Sequence, residues 1–269
     1  KVLGADVIGS KGDSYAVLNP TKSFDQVRIT PVKALSALEN LQIKGFALRT
    51  DMNDDGTLNG DDLLVLDERK TLDVKKSYTN ARMLLHRTFT KSADNKKGWN
   101  SIILPVDMTA AQVKEAFGDG VQMAAFDRLE DNWIKFSTVD VAADGVVLKK
   151  NTPYIIYPTK EPLGNYTYNI DGETNTLNGP VYVANGINYD DQTSNLTHTV
   201  NVGGMTYTGS YSNPTTVSAD SYMFSKGDLI HTSKDHTVKA YRCWLKDDMH
   251  TGKMLMFSIN GNGIDGTTD

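Results

Sequence analysis

Residues 51–62, DMNDDGTLNGDD, concentrate aspartate, asparagine and glycine in one short stretch. Counting Asp51 as the first position, Asn53 is third, Asp55 fifth, Gly56 sixth, Thr57 seventh, Asn59 ninth and Asp62 twelfth. That is the register of a calcium loop. Calcium takes about six to eight hard oxygens at flexible geometry, with a glycine at the sixth position for the sharp turn. The side chains of Asp51, Asn53, Asp55, Asn59 and Asp62, with the backbone carbonyl of Thr57, would supply that shell. So many carboxylates packed without a cation would repel one another. The plainer reading is a solvated Asx-rich turn.

Two elements must position this loop. The incoming segment LQIKGFALR (41–49) reads as a strand, and the outgoing DDLLVLDERK (61–70) reads as a short helix with Leu63, Leu64 and Leu66 on its packing face. PVKALSALENL (31–41) fits either a helix or a strand with a turn. Beyond them the chain is rich in Thr, Val, Tyr and Gly, and SFDQVRIT, SIILPV, NWIKFSTV, TPYIIYP, YTYNI, MTYTGSY and KMLMFSI are expected as strands. The pairs DG at 144 and 171 and NG at 178 and 260 are expected as turns. A second helix is expected in MTAAQVKEAFGDG, where Thr109 and Gln112 have capping-box spacing, Val113, Ala116 and Phe117 form the apolar stripe, and Gly118 ends it. The expected fold is mainly β, an antiparallel sandwich of immunoglobulin-like or jelly-roll-like type with two short helices. A polar stretch near 70–80 suggests two regions: 1–78, carrying the loop, and 79–269, the sandwich.

The bulk properties narrow the partners. The 269 residues carry a net charge of -5, with Lys and Arg scattered rather than striped, which argues against nucleic acid. No run approaches the roughly 18 apolar residues of a membrane span. The chain opens KVLGADVIGS, without an initiator Met or a targeting segment, as expected for a piece of a longer exported protein. Its single cysteine, Cys243, permits no internal disulfide and reads as a small apolar side chain on a strand.

Other residues able to do chemistry read as structural. Asp127, Glu130, Asp131 and Asp140 are the carboxylates a glycosidase would need in a facing pair, yet they sit in a hairpin-like stretch. Of the histidines, 86, 198, 231, 236 and 250, only His231 and His236, with Asp235 between them, come near a metal spacing. Trp99, Trp133 and Trp244, with Tyr166, Tyr168, Tyr207 and Tyr211, are rings that could stack on sugars or fill the core. Trp244 adjoins Cys243 on an alternating strand, so at most one of the two faces the core.

With Asp at its twelfth position and a helix on one side only, the 51–62 loop resembles a single repeat of a dockerin. A dockerin carries two such repeats and one is evident here, which favours a structural clip. From about residue 80, LLHRTFTKSADNKKGWNSIILPVDMTAAQVKEAFG (84–118), NTPYIIYP (151–158), YTGSY (207–211) and VKAYRCWL (238–245) resemble secreted and cell-surface β-sandwich proteins of Bacteroides-type gut bacteria; SFDQVRIT and ALSALENLQIKGF resemble the closing strands of such modules. The resemblance implies an exported, extracellular or cell-surface location. The function expected is non-catalytic: one structural calcium ion, with adhesion to a glycan or a surface protein. The alternative is an accessory region of a carbohydrate-active enzyme whose catalytic part lies elsewhere.

Overall fold

Alternating burial along short strands builds most of this molecule. The computed structural model describes residues 5–10, 13–18, 63–90, 98–170, 173–247, 255–260 and 262–264. The calcium-loop positions Asp51, Asn53, Asp55, Thr57, Asn59 and Asp62, the incoming 41–49 segment and the ambiguous 31–41 segment lie outside the described residues. The chain divides into two compact units, Lys1–Leu48 and Arg49–Asp269. In the first, β1 (Ala5–Ser10) pairs antiparallel with β2 (Asp13–Leu18).

The second unit is built on three main sheets. A four-stranded sheet has β3 (Leu63–Asp67) and β4 (Tyr78–His86) beside β12 (Glu173–Tyr189) and β11 (Leu163–Ile170). A six-stranded sheet contains β5 (Asn100–Ile102), β7 (Gln122–Glu130), β8 (Trp133–Val139), β10 (Tyr154–Tyr157), β20 (Met256–Ile259) and β21 (Asn262–Ile264). A five-stranded sheet runs in the order β13 (Thr197–Val202), β14 (Met205–Ser210), β19 (Arg242–Asp247), β16 (Ser221–Ser225), β17 (Asp228–Thr232). Two small ribbons, β6 (Met108–Thr109) with β9 (Val146–Leu148) and β15 (Thr215–Val217) with β18 (His236–Val238), complete it. Pairing is antiparallel except between β3 and β4 and between β8 and β20. The result is mainly β and sandwich-like.

One core joins the sheets. The Tyr207 ring of the five-stranded sheet lies 6.1 Å from Phe126 and 5.8 Å from Phe136 of the six-stranded sheet, both edge-on. Edge-on ring pairs match the positive rim of one ring to the negative face of the other. The Tyr207 hydroxyl, fully buried, is satisfied by donating to the Tyr154 carbonyl at 2.9 Å. Gly209 faces Ile103 so closely that a Cβ there would come within 2.7 Å of its side chain.

Helix α1 (Ala110–Phe117) forms where its caps predict: Thr109 and Gln112 close a capping box, Gly118 (φ 103°) ends the helix, and Val113, Ala116 and Phe117 are buried. It is the single helix among the described residues, because the expected helix over 61–70 is instead strand β3. Leu63 and Leu66 are both buried, on opposite faces of β3, and the strand pairs parallel with β4 from Leu63↔Arg82 to Asp67↔His86. A continuous apolar run buried on both faces is the pattern of a parallel strand, and the same leucine spacing mimics a helical stripe. The charged residues that follow the leucines, Asp67, Glu68 and Arg69, form ion pairs at the strand end. The expected turn at Asn178–Gly179 also differs: both residues lie within β12, where Gly179 and Pro180 stand against the single Gly164 of β11, and Gly179 takes φ 119°. An Asn-Gly pair supplies a bulge as readily as a hairpin turn.

Candidate binding face

The five-stranded sheet turns one face to the core and the other away from it. Along β19 the burial alternates residue by residue: Cys243, Leu245 and Asp247 are buried, while Arg242, Trp244 and Lys246 are partly exposed. Cys243, not Trp244, therefore faces the core. Its amide donates to Ser101 Oγ at 3.0 Å, and burial pushes its thiol up to about 12, which makes it an unreactive packing residue.

Register places the neighbours of Trp244. Thr208 of β14 and Met223 of β16 flank it directly, with Thr199 of β13 beyond Thr208 and Ile230 of β17 beyond Met223. The next row carries Asn201, Thr206 and Lys246. An indole thus sits mid-sheet among hydroxyl and amide groups, with thioether and aliphatic surface on its other side. Lys246 is steadied by donating to Ser218 Oγ (2.9 Å) and to the Ala219 carbonyl (2.8 Å).

Arg242 ties this face to a buried ionic cluster. Its Nη2 donates to Glu68 Oε2 at 2.9 Å; Arg87 Nη1 reaches the same oxygen at 3.1 Å, and Lys239 Nζ reaches Oε1 at 3.1 Å. Glu68 and Arg87 are fully buried. Burial alone would raise the Glu68 carboxyl, but Arg87, Arg242 and Lys239 together hold it below its ordinary value. Desolvation, reinforced by Arg242, lowers Arg87 to about 9. Arg87 is held further by donating to the Ser101 and Thr88 carbonyls, each at 2.8 Å. Three cations thus share one carboxylate where β3, β4 and β19 end or begin.

At the other face of the same corner, Arg69 grips Asp67 with Nε and Nη2, both at 2.8 Å, and His86 Nδ1 stands 3.2 Å from Asp67 Oδ1. An Asp–His pair invites comparison with a nucleophile's base, yet His86 Nε2 is 3.0 Å from the Asn178 carbonyl and meets no hydroxyl. Gly179 permits that approach, since a Cβ there would lie 2.7 Å from the ring nitrogen. This corner is built to fix strands together.

The remaining chemistry-bearing residues are dispersed. Asp127 and Glu130 pair with Arg128, and Glu130 also with Lys135, all on the β7–β8 hairpin; Asp131 lies at its turn, and Asp140 accepts from the Ala142 amide at 2.9 Å. His231 stands 3.5 Å from Asp220, whereas Asp235 accepts from the Ala219 amide at 2.9 Å, so the two do not converge with His236. Among the described residues no three His, Cys, Asp or Glu side chains are grouped to hold a metal. Trp99, Tyr207 and Tyr211 are core residues; Trp133, Trp244, Tyr166 and Tyr168 remain partly exposed. The cluster around Glu68 escapes sequence reasoning because its members are up to 174 residues apart. The stripe Arg242, Trp244, Lys246 does carry a local signal: alternation. No family model, curated protein or solved structure matches this chain.

Proposed function

We propose that this chain is a non-catalytic, extracellular or cell-surface protein that holds one structural calcium ion in the 51–62 loop and attaches to a glycan or protein partner through the outward face of its five-stranded sheet. The observation that carries the binding reading is Trp244, partly exposed at the middle of that sheet and flanked by Arg242, Lys246, Thr206 and Thr208. Flat faces with a rigid ring and satisfied polar neighbours suit recognition, because little conformational entropy is lost on contact.

The calcium reading rests on donor chemistry: hard carboxylate and amide oxygens at calcium-loop positions, suited to a modest-affinity site outside the cell. The location rests on the resemblance to exported β-sandwich proteins. The test of function screens the chain and its Trp244→Ala variant on a glycan array while assaying the same glycans for new reducing ends. Binding lost in the variant at unchanged melting temperature supports attachment through this face; release of reducing ends overturns the non-catalytic reading.

A further inference from the structure

We infer that the outward face of the five-stranded sheet takes an anionic polysaccharide, a sugar chain bearing carboxylates or sulfates, laid along β19. This deepens the binding reading above and rests on it.

The argument is one of charge complementarity on a flat aromatic face. Arg242 and Lys246 stand two residues to either side of Trp244 and project to the same side of the sheet. At about 3.4 Å per residue their backbones lie roughly 14 Å apart, a span of a few sugar units with the indole midway. Neither cation is neutralised one-for-one. Lys246 donates to a hydroxyl and a carbonyl and forms no ion pair among the described residues. Arg242 shares the Glu68 carboxylate with Arg87 and Lys239, so that cluster has a surplus of positive charge, and Lys239 and Arg242 are its exposed members, at 49% and 23%. The acid on the same face, Asp228, lies at its far edge, two strands from Arg242.

This local excess stands on a chain whose net charge is -5, so general electrostatics would repel a polyanion and only a localised cationic stripe would hold one. Thr208 and Thr199 continue the Trp244 row towards one edge of the sheet, with Thr206 in the next row beside Lys246, so short hydroxyl side chains border the indole on that side. Cations near the edges of a bound sugar and an indole beneath it would meet its two kinds of surface, charged substituents and apolar ring face.

The test is affinity electrophoresis and calorimetry of the whole chain against polygalacturonate, dextran sulfate and a neutral soluble β-glucan, at low and at physiological salt. Retention is expected on at least one polyanion, weakening with salt as the Debye length contracts to about 8 Å. Trp244→Ala should weaken it about tenfold or more, a fall of about 1.4 kcal/mol, and Lys246→Gln severalfold, with melting temperatures unchanged. Lys246→Gln, on the surface, keeps the test valid should Trp244→Ala unfold. Binding to polygalacturonate alone assigns carboxylates, to dextran sulfate alone sulfates, and to both the shared charge. Salt-independent binding to the neutral glucan, lost in Trp244→Ala, overturns the anionic class and keeps the binding face. Polyanion binding that is unchanged in both variants overturns the assignment to this face. No binding to any of the three chains overturns the anionic assignment, while binding by the parent but not Trp244→Ala to other ligands on the array would leave the broader reading standing.

Discussion

The Glu68 cluster and the β7–β8 hairpin contain the same kinds of charged side chain and obey different rules. On the hairpin, Asp127, Arg128, Glu130 and Lys135 pair side by side while remaining 24–49% exposed, so water solvates each charge whether or not its partner is present. Such pairs contribute little to stability. Glu68 and Arg87 are fully buried, so each relies on the other and on Ser101, Thr88, Lys239 and Arg242 for the solvation it has given up. A buried pair is costly to break and not necessarily stabilising to have. The cluster therefore acts by specifying which strand ends meet.

The sharpest way to break this contrast is Glu68→Ala, which leaves Arg87 buried without its carboxylate. We expect a loss of about 3–5 kcal/mol in urea denaturation at neutral pH. The double variant Glu68→Met with Arg87→Met should recover much of that loss; a double variant as unstable as the single one would show that the charges themselves hold the corner. The aspartate loop extends the comparison to acids whose proposed partner is a bound ion. There, calcium at about 100 times its dissociation constant should stabilise the chain by about 2.7 kcal/mol. Calorimetry in chelator and in calcium reads this shift, and Asp55→Ala should abolish it while leaving the β core folded. Absence of any shift in the parent would reduce the loop to a solvated turn.

Acid reads the same contrast more gently. The Glu68 and Asp67 carboxyls lie below their ordinary values of 4.5 and 3.8 in the folded state, so their contribution is complete above those values and is lost as pH falls through the lower folded ones. Melting curves from pH 6 downward should show that loss, with a shallower slope in Glu68→Gln; an unchanged slope would mean the carboxylate contributes nothing. The smallest effect belongs to the hairpin. Glu130→Gln should change stability by less than about 0.5 kcal/mol, and a loss above 2 would erase the distinction between the two regions.

How much of this was legible in the sequence follows from which interactions are local. Helix α1 could be placed because its capping box and apolar stripe lie within nine residues, Thr109 to Phe117. The opposite facing of Cys243 and Trp244 followed from period-two alternation alone. Strand β3 was misleading because LLVL is buried on both faces, and burial on both sides erases the periodicity that separates strand from helix. The Asn178–Gly179 pair, expected as a turn, lies inside β12 instead, since a glycine at positive φ serves bulges and turns alike. Residues 68, 87, 239 and 242 share no motif; only the folded chain brings them to one carboxylate.

Cys243 gives the core a built-in clock. The residue is 2% exposed and its thiol, pushed by burial up to about 12, cannot be alkylated while the five-stranded sheet stays closed over β5 and Ser101. As the chain's single cysteine, it makes the labelling rate a reporter of the two sheets parting, reading the opening rate itself once alkylation outpaces reclosing. The same protein, unmodified, can therefore report in time what denaturation reports in energy: whether loosening the corner at Glu68 opens the whole sandwich or only its edge.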